Sequence, residues 1–189
     1  MEADFHDVSN FLCDKLHFNQ STIFGEDCYS DMARIYLEVF IEAPVERVFD
    51  LSRSIDLHMQ SASQTNEKAV RGKTTGLIGL NETVTWRARH FGIYQYLTVK
   101  ITDFQSPFSF TDVMLKGAFA SMNHRHTFEA QGSGTKMTDV FEFRSPFGWI
   151  GRAVDFIYLK EYMKQFLIVR NNEIKRVAES DAWQKFLIN

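Results

Sequence analysis

Between residues 82 and 144 apolar and polar side chains alternate through four or five successive stretches, and this period of two constrains the fold more than any other feature. Glu82–His90 sets Val84, Trp86 and Ala88 against Thr83, Thr85, Arg87 and Arg89. Tyr94–Phe104 sets Leu97, Val99 and Ile101 against Thr98, Lys100 and Thr102. Phe108–Met114 sets Phe108, Phe110 and Met114 against Ser109 and Thr111. Ala118–Glu129 and Thr135–Arg144 flank "QGSG", a hairpin-turn composition. Successive strand side chains point to opposite faces, so the pattern predicts an antiparallel sheet with one buried and one wet face.

The flanking segments say what covers the buried face. "ARIYLEVFI" reads as a first strand. In "EAPVERVFDLSRS", Pro44 suits a first helical turn, and Val45, Val48, Phe49 and Leu51 form an apolar stripe. A second short helix is expected at Ser54–Gln60, and "GKTTGLIGLN" is punctuated by glycine as turns and bent strands are. From Trp149 to Ala178, Phe156, Leu159, Met163, Phe166, Ile174 and Val177 recur at helical spacing. At about 1.5 Å per residue such a helix is long enough to lie across a whole sheet. The order predicts an α+β fold with a curved sheet packed against one long helix.

The 189 residues suit one domain. It is expected at residues 33–180, between an N-terminal extension (1–32) and a C-terminal tail (181–189). In the extension, Val8, Phe11, Leu12 and Leu16 have the spacing of a short amphipathic helix. A formal net charge of −3 argues against a nucleic-acid partner. No stretch approaches the roughly 18 apolar residues of a membrane helix, so no integral membrane association is expected. Cys13 and Cys28 lack metal-site spacing, and "MEADFHDVSNFLCDKL" lacks a secretory pattern, so a cytoplasmic protein with reduced thiols is expected. The 18 Phe, six Tyr and three Trp can fill a core or line an apolar pocket.

Several stretches carry a resemblance to a known family: "FIEAPVERVFDLSRS", "LNETVTWRARHFG", "LTVKITDFQSPFSFTDVMLKGAF", "HRHTFEAQGSGTKMTDVFEFRSPFGWIGR" and "YLKEYMKQFLIVRNNEIK". In this order they resemble the helix-grip fold of the START/SRPBCC superfamily, which includes pollen-allergen-like proteins, polyketide cyclases and ubiquinone-binding START proteins. The resemblance is to its bacterial ligand-binding subgroup and covers about residues 33–178. It implies a curved antiparallel sheet wrapped around the long helix, enclosing a cavity for a small, mostly apolar molecule. It does not separate carriers and sensors from enzymes.

Parity also marks polar residues on the inward face. Glu82 goes with Val84 and Trp86, Asp112 with Phe110, His124 and His126 with Phe128, and Asp139 with Met137 and Phe141. A symmetric turn of two or four residues centred on Gly132–Ser133 sets His126 opposite Asp139, with Cβ atoms about 4.5–5.5 Å apart. Three readings stand: the groups satisfy one another beneath the sheet, they orient a ligand in a cavity, or they do chemistry. The last takes two forms, zinc held by His-x-His and a carboxylate, or His126–Asp139 as an oriented general base of a cyclase or hydratase. Two histidines and scattered carboxylates leave the metal-ligand count short, so no metal and no cofactor are expected. The expected cavity is walled by Val84, Trp86, Val99, Phe110, Phe141 and Met163, with Glu82, Asp112, His124, His126 and Asp139 as its polar set. Tyr158 and Tyr162, one helical turn apart, either tip hydroxyls into it or pack in the core. The reading is a binder of a small hydrophobic or amphipathic ligand. Its rivals are that enzyme, and an interaction module whose extension or tail docks on a protein partner.

Overall fold

The structure, a computed structural model, describes residues 32–144 and 158–188. The helix expected in the N-terminal extension and the first residues of the expected long helix lie outside them. Strand β1 (Ala33–Ile41) leads into helices α1 (Val45–Ser52) and α2 (Ile55–Ser61). Strands β2 (Lys68–Gly72), β3 (Thr83–His90), β4 (Ile93–Gln105), β5 (Ser109–Lys116), β6 (Ser121–Gln131) and β7 (Gly134–Arg144) follow. The chain ends in helix α3 (Lys160–Ala178), a 3₁₀ turn at Asp181–Trp183 and the short helix α4 (Gln184–Leu187).

The seven strands form one antiparallel sheet in the order β1-β7-β6-β5-β4-β3-β2. β1 and β2 are thus opposite edges, and α1 and α2 carry the chain from one to the other. Pro44 stands at the N-cap of α1, and the Ser54 hydroxyl caps α2 by accepting from the Leu57 N–H at 3.3 Å. Phe49 of α1 meets Phe104, Phe110 and Phe128 edge-on at 5.3, 5.8 and 5.4 Å between ring centroids. That contact ties the helical crossover to the middle of the sheet.

Helix α3 crosses the sheet from the β3 side to β1. Its Tyr162 hydroxyl lies 2.7 Å from His90 Nδ1 on β3, and Asn171 bonds Asp139 on β7. Near its C-terminus, Lys175 donates to the Phe40 carbonyl of β1 at 2.6 Å. The predicted apolar stripe is half-buried at Leu159, Met163 and Phe166 and buried at Ile174 and Val177, and Leu167 is buried as well. Beyond it, Arg47 of α1 stacks over Trp183 at 4.4 Å, and Phe186 is buried, so the residues expected as a tail pack on α1.

Two readings of the sequence need correction, and one strand lies outside them. Strand β2 has no sequence signature, because "KAVRG" is largely exposed and shows no alternation. Parity with Phe110 places Phe108 inward, but it is 59% exposed. It lies in the turn before β5, which begins only at Ser109, so the alternation of the strand does not reach it. Extrapolation from Val84 places Glu82 inward as well. Strand β3 begins only at Thr83, after Asn81 in the left-handed region (φ 65°), so the parity of β3 does not reach Glu82. Its carboxylate accepts from the Gly79 N–H at 2.7 Å and faces Lys73 at 3.4 Å.

Candidate functional site

The β6–β7 hairpin turns in two residues, Gly132 and Ser133, with Gly132 at φ +59°. This pairs His126 with Asp139 and Phe128 with Met137, the register expected from the symmetric turn. Across β5–β6, Asp112 pairs with His124 and Phe110 with His126. Two adjacent registers therefore bring four ionisable side chains from three strands to one place on the inner face.

His126 is the centre of that cluster and is 1% exposed. Its Nδ1 lies 2.5 Å from Asp139 Oδ1 and its Nε2 lies 3.2 Å from Asp112 Oδ1. Carboxylate oxygens only accept, so a ring with a carboxylate at each nitrogen donates from both and is the imidazolium. Asp139 Oδ2 accepts from Asn171 Nδ2 of α3 at 2.5 Å. Phe110 stacks on the His126 ring at 4.3 Å, and the His124 ring lies 3.9 Å from it.

Burial opposes charge on every member, and the partners decide which charges survive. Burial alone would lift both carboxyls. For Asp139 the His126 charge and hydrogen bond overcome it and hold the group well below the usual carboxylate range. For Asp112 the His126 hydrogen bond and the histidine charges also win, and its pKa is lowered. Burial would also strip the proton from His126, but Asp139 and Asp112 outweigh it and raise its pKa. For His124 the same carboxylates stand farther off, at 3.4 and 4.0 Å, and burial, then the adjacent His126 charge, depress it to about 4. Its Nε2 stands 3.4 Å from Asp139 Oδ1, off hydrogen-bond geometry and without a partner. The partners thus favour two carboxylates and an imidazolium at His126, with His124 left neutral. The buried Arg170 guanidinium of α3 balances the charge; it donates to the Ser52 carbonyl at 2.8 Å.

This cluster forms one wall of a cavity of about 100 Å³ between the sheet, α2 and α3. Eight of the expected residues line it: Val84, Trp86, Val99, Phe110, Phe141 and Met163 as apolar wall, and Asp112 and His124 as polar groups. His126 and Asp139 lie behind that wall, holding it. Tyr158, which precedes α3, is 72% exposed, and Tyr162 faces His90 from the flank of α3, off the Met163–Leu167–Arg170 stripe. Both His126 nitrogens face carboxylates, and the ring lies outside the cavity lining.

A second polar pole lies outside the set that parity marks. His58 of α2 stacks on Trp86 at 4.1 Å, with the rings 17° from parallel. Its Nε2 lies 3.5 Å from Glu67 Oε2, and both atoms are buried without a hydrogen-bond partner. Both residues line the cavity. Glu67 precedes the unpatterned strand β2, so no periodicity points to it. Arg170 and Asn171 are legible in principle, since they fall four and three residues before Ile174 on the buried stripe of α3.

A seven-stranded antiparallel sheet gripping a C-terminal helix, with two short helices between its first strands, is the helix-grip fold of the START/SRPBCC superfamily, and the chain has that fold. The solved structures it is similar to include a protein from Thermus thermophilus, at 15% identity over 76% of this chain and 95% of that one, with a TM-score of 0.63. Major latex-like protein 151 of Panax ginseng is 12% identical over 79% of this chain and 99% of its own, with a TM-score of 0.59. A START superfamily protein from Mycobacterium smegmatis is 10% identical over 77% and 97%, with a TM-score of 0.59. At such identities the likeness is one of fold. No protein-family model and no curated protein matches the sequence. Among the described residues, no helix is long and apolar enough to cross a membrane.

Proposed function

We propose that the chain binds a small, mostly apolar molecule bearing a hydrogen-bonding group, and acts as a carrier or sensor rather than a catalyst. The observation that carries this reading is the cavity lining: an apolar surround interrupted by His58 and Glu67, whose Nε2 and Oε2 face one another at 3.5 Å without a hydrogen bond. Buried polar groups in folded proteins are almost always hydrogen-bonded, so two cavity-lining residues that lack such a bond support a place there for a ligand group. About 100 Å³ is well below the roughly 300 Å³ of a drug-sized pocket and suits a molecule of one ring.

The test begins with native mass spectrometry of freshly purified full-length chain, which would reveal a co-purified molecule directly. Single-ring phenols and anilines are then titrated while tryptophan emission is followed. The expected result is a saturable change that disappears in Trp86→Phe and weakens at least tenfold in Glu67→Gln. No saturable binding, or binding indifferent to both substitutions, would remove this reading.

A further inference from the structure

Asp112, His124 and His126 bring one carboxylate oxygen and two imidazole nitrogens within 4.8 Å of one another. The sequence left the ligand count short; the β5–β6 register completes it by setting Asp112 directly beside His124. We propose that these three side chains bind a divalent transition-metal ion, zinc or a first-row ion of similar size, on the inner wall of the cavity.

The orientation of the two rings carries the proposal. Each presents one nitrogen to Asp139 Oδ1: His126 Nδ1 at 2.5 Å and His124 Nε2 at 3.4 Å. Each presents the other to Asp112 Oδ1: His126 Nε2 at 3.2 Å and His124 Nδ1 at 4.0 Å. A metal-bound histidine commonly gives its far N–H to a carboxylate, which sets tautomer and ring plane. Asp139 stands in that place for both rings, and Asn171 holds its second oxygen. In either tautomer of neutral His124, one nitrogen lone pair faces a carboxylate oxygen, and its buried Nε2 has no hydrogen-bond partner. A cation between Asp112 and the histidines resolves this, leaving both far N–H groups to Asp139.

Size and charge fit. Metal–ligand bonds of about 2.0–2.2 Å place the donors of a tetrahedral shell about 3.4 Å apart, and the 3.2 and 4.0 Å separations from Asp112 Oδ1 bracket that value. The ion takes the place of the proton between His126 Nε2 and Asp112. Asp112 and Asp139 then face one dication and Arg170, a net charge of plus one that an anionic donor from the cavity would cancel. Asp112 and His124 both line the cavity, so the open coordination position faces it.

The test uses the full-length chain stripped with a chelator and titrated with zinc chloride or cobalt(II) chloride. One ion per chain with a Kd of micromolar or tighter is expected, together with the visible absorption of four- or five-coordinate cobalt. Asp112→Asn and His124→Gln should each weaken binding at least 100-fold, while His90→Gln, outside the cluster, leaves it unchanged. X-ray absorption of the zinc-loaded wild-type chain needs no variant, and should count two imidazoles with oxygen donors. Three results would overturn the proposal: no binding up to millimolar metal, binding that survives both cluster substitutions, or a shell containing sulfur from Cys13 or Cys28.

Discussion

His126 is held by a carboxylate at each nitrogen with Phe110 stacked on its face, so removing the imidazole strands two buried charges at once. His126→Phe keeps an aromatic ring and deletes both hydrogen bonds; breaking one side of a buried ion pair destabilises by roughly 3–5 kcal/mol. Urea melts of the purified variant should show that loss. The same cluster sets the pH profile of the metal-free protein. The raised pKa of His126 adds stability below its unfolded value of 6.5, lost as pH rises through its folded value. His124, depressed from 6.5 to about 4, withdraws stability as pH falls across that interval, because only the unfolded chain takes up its proton there. Asp112 and Asp139, held below 3.8, add stability above that value and surrender it only in stronger acid. Urea midpoints on chelated protein should therefore pass through a maximum near pH 6.5 and decline on both sides.

The sheet elements are pinned by a few backbone positions that no side-chain pattern reveals. β2 follows the cavity-lining Glu67 directly, yet its own residues bury little. Gly72 ends it at φ +74°, where an added Cβ would stand 2.2 Å from the Thr83 carbonyl oxygen of β3. Gly72→Ala therefore meets both an unfavourable backbone region and a backbone clash, and strain of this kind costs on the order of 1–3 kcal/mol. The expected outcome is a lower thermal midpoint with faster amide exchange confined to β2 and the start of β3. Uniform exchange across the sheet would show instead that β2 is bound to the rest more tightly than its contacts imply.

For the molecule as a whole, the cavity separates a binding protein from a packed core. Val99→Phe adds a ring to the cavity wall between Val84 of β3 and Met114 of β5. In a filled core such overpacking costs about 1–3 kcal/mol. In an open cavity the ring occupies empty space, so the thermal midpoint should hold or rise while affinity for a single-ring probe falls at least tenfold. Calorimetry on the variant alone and with probe distinguishes the two.

The sequence by itself determined the strand alternation of β3 to β7, the α1 crossover, the stripe of α3 and the His126–Asp139 pairing. Each follows from a local period or from a two-residue turn, and local periods survive in a linear code. Only the tertiary structure decided which inward groups share a site. Asp112 joins the histidines through a strand-to-strand register, and Asn171 and Arg170 reach the cluster from a helix more than thirty residues away in sequence from Asp139. His58 and Glu67 meet beside Trp86 because the crossover folds back over the far edge of the sheet. Parity states which face a side chain takes; which strands lie side by side, and what packs over them, is settled only by closing the sheet on its helix.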